Sequence, residues 1–197
     1  MIAHIEGVIS EKVPTQVIVD VNGIGYEVLI PFSTFEQLPD VGNRVKILTY
    51  QHVREDSLLL FGFMSKKEKW MFTRLISVSG IGPKSALGVL SGCKVDDLIR
   101  YILNGEIDRL SELPGIGKKT AQRLNLELKD KLGTAASESM GAPLADQTGK
   151  SKQEQAVLAL VSLGFSRMEA EKKLINLLTK EPDLPLDELI KRALQKV

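Results

Sequence analysis

The feature that most constrains this chain is an internal repeat. Val78-Ser79-Gly80-Ile81-Gly82-Pro83-Lys84-Ser85-Ala86 aligns with Leu113-Pro114-Gly115-Ile116-Gly117-Lys118-Lys119-Thr120-Ala121 at an offset of 35, and five of the nine positions are identical. One Gly-x-Gly turn is weak evidence of anything. Two in register, each followed by Lys and a helical pattern, mark a duplicated supersecondary unit. Two readings of the residues remain open at this level. In one, each copy is a tight helix–helix turn in which Gly ends one helix and Pro or Lys begins the next. In the other, each copy is a phosphate grip: backbone N–H groups at a helix N-terminus point outward, the helix dipole favours an anion, and glycine leaves no side chain in the way. Ile81 and Ile116 would then turn inward as anchors. Lys84, Lys118 and Lys119 would add point charges near the same phosphates.

The charge distribution favours the second reading. The chain has 197 residues with a formal net charge of +1. Residues 1–62 hold 4 basic and 8 acidic side chains, residues 63–133 hold 13 and 8, and residues 134–197 hold 9 of each. The repeat therefore lies in a basic segment between an acidic and a neutral one, as expected of a module that meets a polyanion.

Around the repeat the chain divides into four parts. Residues 1–64 read as strands: Ile2–Val13, Thr15–Val21, Gly25–Ile30, Arg44–Val53 and Ser57–Met64, with Asn22-Gly23 a two-residue hairpin signal and Pro31–Pro39 a short crossing. Five antiparallel strands in so short a segment fit a closed OB-type barrel. Residues 65–133 change to a helical period, with helices expected at Lys66–Val78, Pro83–Ser91, Val95–Leu103, Ile107–Leu113 and Lys118–Leu132. In the first of these Trp70, Phe72, Leu75 and Ile76 face inward, and Lys66, Lys67, Lys69 and Arg74 outward. Residues 134–151, rich in Gly, Ala, Ser, Thr and Pro, read as a flexible linker. Residues 152–197 read as three short helices, Lys152–Leu163, Arg167–Leu178 and Leu186–Gln195. Leu158, Leu160, Val161, Leu163 and Phe165 are expected to form their small core, with Leu174, Leu177 and Leu178 divided between core and a partner surface. The fold class is therefore α+β and multidomain.

Several chemistries are disfavoured. Thr148-Gly149-Lys150-Ser151 imitates the end of a phosphate-binding loop, but Leu144 stands where that loop needs Gly, and no strand precedes it. His4 and His52 are isolated, and Cys93 reads as a packed thiol. Glu55 and Asp56 lack a second acidic cluster that would complete a metal-dependent nuclease, so neither a catalytic residue, a metal nor a cofactor is expected. One cysteine excludes a disulfide framework, and no apolar run approaches the ~20 residues of a membrane span, which points to the cytoplasm.

The tandem Gly-Ile-Gly hairpins resemble helix–hairpin–helix DNA-binding motifs. Their setting, with MIAHIEG, VNGIGYEV, HVREDSLLLFGF, VSGIGPKSAL, LPGIGKKTAQRL and ALVSLGF in this order, resembles the RuvA family of Holliday junction branch-migration proteins over the whole chain. The resemblance implies a homotetramer that holds four-way junction DNA open and square-planar. Whether one tetramer or two face to face (an octamer) coat the junction stays open. It implies phosphate contacts, expected here from Ser79, Gly80, Ile81, Gly82 and Lys84 in the first hairpin, and from Gly115, Ile116, Gly117, Lys118, Lys119 and Arg123 in the second. It places an acidic pin at Glu55 and Asp56. On residues alone, Arg54–Ser57 is simply a polar turn. In a fourfold assembly, however, two carboxylates from each of four subunits would meet at the crossover. Like charges 4 Å apart repel by ~1 kcal/mol in water and ~4 kcal/mol at an effective dielectric of about 20, enough to keep phosphates from settling there. Arg54 is expected to contact the junction strands. The resemblance also implies that the third domain binds the RuvB ATPase, expected through Leu163, Gly164, Phe165, Leu174, Leu177 and Leu178, and that the RuvC resolvase shares the junction. Any ATP hydrolysis would belong to the partner.

Overall fold

The computed structural model describes residues 1–139, 152–181 and 184–194. The chain forms two compact units, Met1–Pro143 and Leu144–Val197.

The first unit opens with a closed five-stranded barrel. Its strands are β1 (His4–Val13), β2 (Gln16–Val21), β3 (Ile24–Leu29), β4 (Arg44–Val53) and β5 (Leu58–Phe63), in the order β1-β2-β3-β5-β4. Asn22 (φ 55°) and Gly23 (φ 88°) both take left-handed backbone, giving the primed turn that matches strand twist, and the Gly23 N–H donates to Asp20 Oδ1 at 3.0 Å. One expectation needs correcting: the pairing is not wholly antiparallel. β3 meets β5 in parallel, with Leu29 opposite Phe61. Helix α1 (Phe32–Gln37) carries the chain across between β3 and β4, which makes that parallel closure possible. Inward-facing Ile5, Ile9, Val17, Val19, Val28, Ile47 and Leu60 fill the barrel.

Gly7 marks the tightest corner of the barrel. A Cβ there would lie 2.1 Å from the Asp20 carbonyl oxygen. Backbone cannot yield as a side chain can, so Gly7→Ala is expected to destabilise the first unit by about 3 kcal/mol. Calorimetry should record this as a melting point lower by roughly 6–12 °C.

Five helices follow: α2 (Lys66–Ile76), α3 (Pro83–Gly92), α4 (Val95–Asn104), α5 (Ile107–Ser111) and α6 (Lys118–Ser139). Residues 64 and 65 separate the barrel from the helices, but the helical core reaches back into β5 of the barrel. β5 turns Phe61 and Phe63 onto α2, where the Phe72 ring stands 5.2 Å and 4.9 Å from theirs and 5.4 Å from Tyr50. These rings belong to the same apolar cluster as Leu75, Leu90, Leu98, Ile102 and Leu124. Glu68, the N3 residue of a helix capped by Ser65, also accepts a 2.6 Å hydrogen bond from Ser33 in α1. Arg74 does not point freely outward. Its guanidinium lies over Trp70, 5.6 Å from the ring centre, a half-buried arrangement that pairs cation with π face.

The end of α6 and the core of the second unit also differ from expectation. α6 runs to Ser139, so the first six residues assigned to the linker continue a helix through Gly133. The linker's remaining residues, 140–151, among them Leu144 and Thr148–Ser151, lie outside the described residues. In the second unit, α7 (Lys152–Ser162), α8 (Arg167–Lys180) and α9 (Leu186–Leu194) bury Ala156, Val157, Leu160, Ala170, Leu174, Leu184, Leu189 and Ala193. Of the expected core residues, Leu160 is buried and Phe165 packs against it, while Leu158, Val161 and Leu163 are exposed. The inward stripe of α7 runs through 156, 157 and 160, and at 100° per residue positions 158 and 161 fall outside it. Ser166 caps α8 in a reciprocal box with Glu169, and the Ser166 hydroxyl and N–H hold that carboxyl below its ordinary range.

Candidate nucleic-acid interface

The two copies of the repeat have the same backbone. In the first, the Ile81 N–H donates to Val78 O at 3.1 Å, and the Ala86 N–H donates to Gly82 O at 2.9 Å to start α3. In the second, 35 residues on, the Ile116 N–H donates to Leu113 O at 3.0 Å and the Ala121 N–H to Gly117 O at 2.9 Å. Gly80 (φ 94°) and Gly115 (φ 77°) turn each chain through left-handed backbone that an L side chain would strain. Ile81 and Ile116 are buried in the helical core, as expected of anchors, and the glycines on either side of each are exposed.

What the hairpins leave open is the basis of the site. An added Cβ at Gly82 or Gly117 would meet nothing within 4 Å. Gly82 offers no side-chain cap to α3, and neither α3 nor α6 has an acidic residue in its first turn. By contrast α2, α4, α5, α7, α8 and α9 each carry at least one, and only the six-residue α1 shares the lack. Helical geometry leaves the N–H groups of Lys84 and Ser85, and those of Lys118, Lys119 and Thr120, without intrahelical partners. Two uncompensated helix N-termini, flanked by exposed Lys84, Lys118 and Lys119, present positive potential.

The hairpins also pack against each other reciprocally. Ser79 and Gly80 face the start of α6: Arg123 Nη1 donates to Ser79 O (3.2 Å) and Ser79 Oγ (3.1 Å), and a recess of about 250 Å³ is lined by Ser79, Gly80, Lys119, Thr120 and Arg123. Pro114 and Gly115 face α3: a Cβ on Gly115 would lie 3.8 Å from Ser85, and one on Gly88 3.3 Å from Pro114 O. Adding 35 converts Ser85 to Thr120, Gly88 to Arg123, Ser79 to Pro114 and Gly80 to Gly115, so each contact maps onto its counterpart with the copies exchanged. An approximate two-fold axis relates the hairpins. Arg123, expected only as a phosphate ligand, is also the clasp on one side of this axis, where Gly88 allows direct backbone approach on the other. Sequence reasoning missed this role, although the 35-residue register that pairs Arg123 with Gly88 carries it.

The remaining candidates are placed as follows. Arg54, Glu55 and Asp56 are exposed at the β4–β5 turn, which closes with the Arg54 N–H donating to Ser57 O at 2.8 Å. Arg54 Nε donates to His52 Nε2 at 3.1 Å, so the guanidinium is oriented by the strand rather than by the adjacent carboxylates. In the second unit Leu163 and Gly164 are exposed, Phe165, Leu177 and Leu178 are half-buried against the core, and Leu174 is fully buried. Leu174 therefore supports this surface from behind rather than presenting itself on it. Cys93 is a packed thiol: burial, then the charge of Asp97, pushes its pKa up to about 11. Among the described residues no group of three His, Cys, Asp or Glu could hold a metal, and no helix is long and apolar enough to cross a membrane.

The chain is similar in sequence to known proteins along its length. Residues 1–62 match the family model described as RuvA N terminal domain, residues 72–130 the SAM-like helix-hairpin-helix tandem, and residues 151–197 the RuvA C-terminal domain. Curated relatives include the Holliday junction branch migration complex subunit RuvA of Solibacter usitatus, 46% identical over 197 residues and covering all of both chains. The proteins of the same name from Syntrophotalea carbinolica (46% over 195 residues) and Pseudomonas syringae (43% over 202 residues) each align with 99% of this chain and 98% of their own length.

Proposed function

The chain belongs to the RuvA family of Holliday junction branch migration complex subunits, and on that premise we propose that it grips four-way junction DNA through backbone phosphates, without reading bases, and recruits an ATPase motor. The observation that carries this is the pair of dyad-related glycine hairpins, each opening an uncapped helix N-terminus onto free space at Gly82 and Gly117. Amides and lysines so arranged accept a sugar–phosphate backbone of any sequence. The side-chain part of the grip is Ser79, Lys84, Lys118, Lys119 and Arg123, with Ile81 and Ile116 fixing the hairpins from behind.

In this reading four copies surround the junction and direct their Glu55 and Asp56 carboxylates to the crossover. There the carboxylates repel phosphates and prevent the exchanging strands from being trapped, while Arg54 orients those strands. Leu126, 74% exposed on α6 between buried Leu124 and Leu128, supports contact between copies, within one tetramer or between two. Leu163, Gly164 and Phe165, with the exposed edges of Leu177 and Leu178, form the surface offered to the RuvB ATPase, and hydrolysis belongs to that partner. RuvC acts on the same held junction. The work is done on chromosomal DNA in the cytoplasm.

Native mass and mobility shift test the proposal together. Multiples of four chains are expected, with a four-way junction preferred over linear duplex of the same sequence by at least tenfold. A monomer that binds both DNAs alike would overturn it.

A further inference from the structure

The β4–β5 hairpin carries more than its two carboxylates. Strand side chains alternate between faces, so Val45, Ile47, Thr49, Gln51 and Val53 share one face of β4, and Leu58 and Leu60 one face of β5. Val45, Ile47 and Leu60 lie in the barrel core, and Thr49 is buried beside them. At the far end of the same row Val53 is 64% exposed and Leu58 58% exposed, and the two are directly opposed cross-strand partners. On β4 this row passes through Thr49 and polar Gln51, whose Oε1 accepts from the Ile2 N–H, and past the rim it ends in the apolar Val53–Leu58 pair, both side chains more than half exposed. Immediately beyond stand Glu55 and Asp56, whose carboxylates have no hydrogen-bond or ion-pair partner among the described residues. Arg54, the nearest cation in sequence, is bonded to His52 instead.

We propose that the Val53–Leu58 pair is a contact surface for unpaired nucleobases at the crossover of a four-way junction. The inference rests on the reading of this hairpin as a junction pin. Charge complementarity selects the occupant. Free carboxylates at the tip reject phosphate at close range, whereas the aliphatic pair gains by being covered with an apolar surface. The nucleobase is the part of DNA that satisfies both, because its faces are flat, uncharged and apolar. In a duplex arm those faces are stacked against neighbours, but where strands change partners they come free. Aliphatic side chains set against base steps offset the loss of stacking in other DNA-binding proteins. Here they would hold a base between its old partner and its new one. An aliphatic contact has no preference among the four bases and forms no directional bond, so each base leaves as readily as the next arrives.

The test uses the full-length protein and a four-way junction carrying 2-aminopurine at the crossover, whose emission rises when it unstacks. Both side chains are exposed, so V53T/L58T should fold with an unchanged melting point. Wild-type protein is expected to raise the emission on binding. V53T/L58T should give less than half that rise, while junction affinity falls less than threefold because phosphate contacts dominate it. E55Q/D56N serves as the reference for the pin and is expected to tighten junction binding and alter the rise. Should E55Q/D56N shift both readouts while V53T/L58T gives the full wild-type rise, the apolar pair takes no bases and the inference fails with the pin intact. No rise with wild type and no effect of E55Q/D56N would remove the pin reading, and the inference with it. A drop in native mass for V53T/L58T would assign the pair to contact between copies and overturn the proposal.

Discussion

Valine at both Gly82 and Gly117 is expected to abolish junction binding in a protein that still folds. The space around both positions is open, and Gly82 sits in extended backbone (φ −84°, ψ 169°) that valine adopts readily. Valine is a poor helix N-cap, which costs about 1 kcal/mol at each site. The isopropyl groups would occupy the volume a phosphate needs in order to reach the N–H groups of Lys84, Ser85, Lys119 and Thr120. Charge-assisted hydrogen bonds contribute ~1.5–3 kcal/mol each, so losing one per hairpin weakens binding by about 10²–10⁴-fold. Fluorescence anisotropy with junctions of unrelated sequence should show the same loss for all of them. A loss confined to particular sequences would mean that the hairpins read bases.

Removing residues 152–197 is expected to leave junction affinity within about twofold and to eliminate stimulation of the ATPase motor. The first unit contains both the barrel core and the helical core, and the second unit has its own around Leu160, Leu174 and Leu189. The hairpins and the Glu55–Asp56 turn lie wholly in the first. ATP turnover by RuvB, measured with junction DNA and either form of this protein, separates the functions. Full stimulation by the shortened chain would place the motor contact on the first unit. On the second unit, Leu163→Glu should reproduce the deletion without unfolding the module, because Leu163 is exposed. The same change at Leu174 should unfold it.

The sequence was most legible where local rules act. Asn22-Gly23 demanded a primed turn, the strand expected at Arg44–Val53 coincides with β4, and the 35-residue register exposed the twin hairpins. It was least legible where distant segments decide. The parallel contact of Leu29 with Phe61 comes from barrel closure, which pairing rules between neighbouring strands do not reveal. α6 passes through Gly133 although glycine and the small residues after it are weak helix formers, because propensity is a weak constraint on a helix already nucleated by packed Leu124, Leu128 and Leu132. In the second unit a difference of one position around α7 separated buried Leu160 from exposed Val161. A short helix with leucine or valine on most sides does not show which stripe faces inward.

The reciprocal packing of the hairpins has a mechanical consequence. Double-stranded DNA has two antiparallel rails, and a half-turn about a perpendicular axis exchanges one rail for the other. A clamp with matching half-turn symmetry engages both rails through equivalent jaws and has no head-to-tail sense of its own. An arm advanced by one base pair along its screw presents the clamp with the same surface again. Nothing then distinguishes one stopping place from the next, and the direction of travel is left to whatever engine pulls the arm.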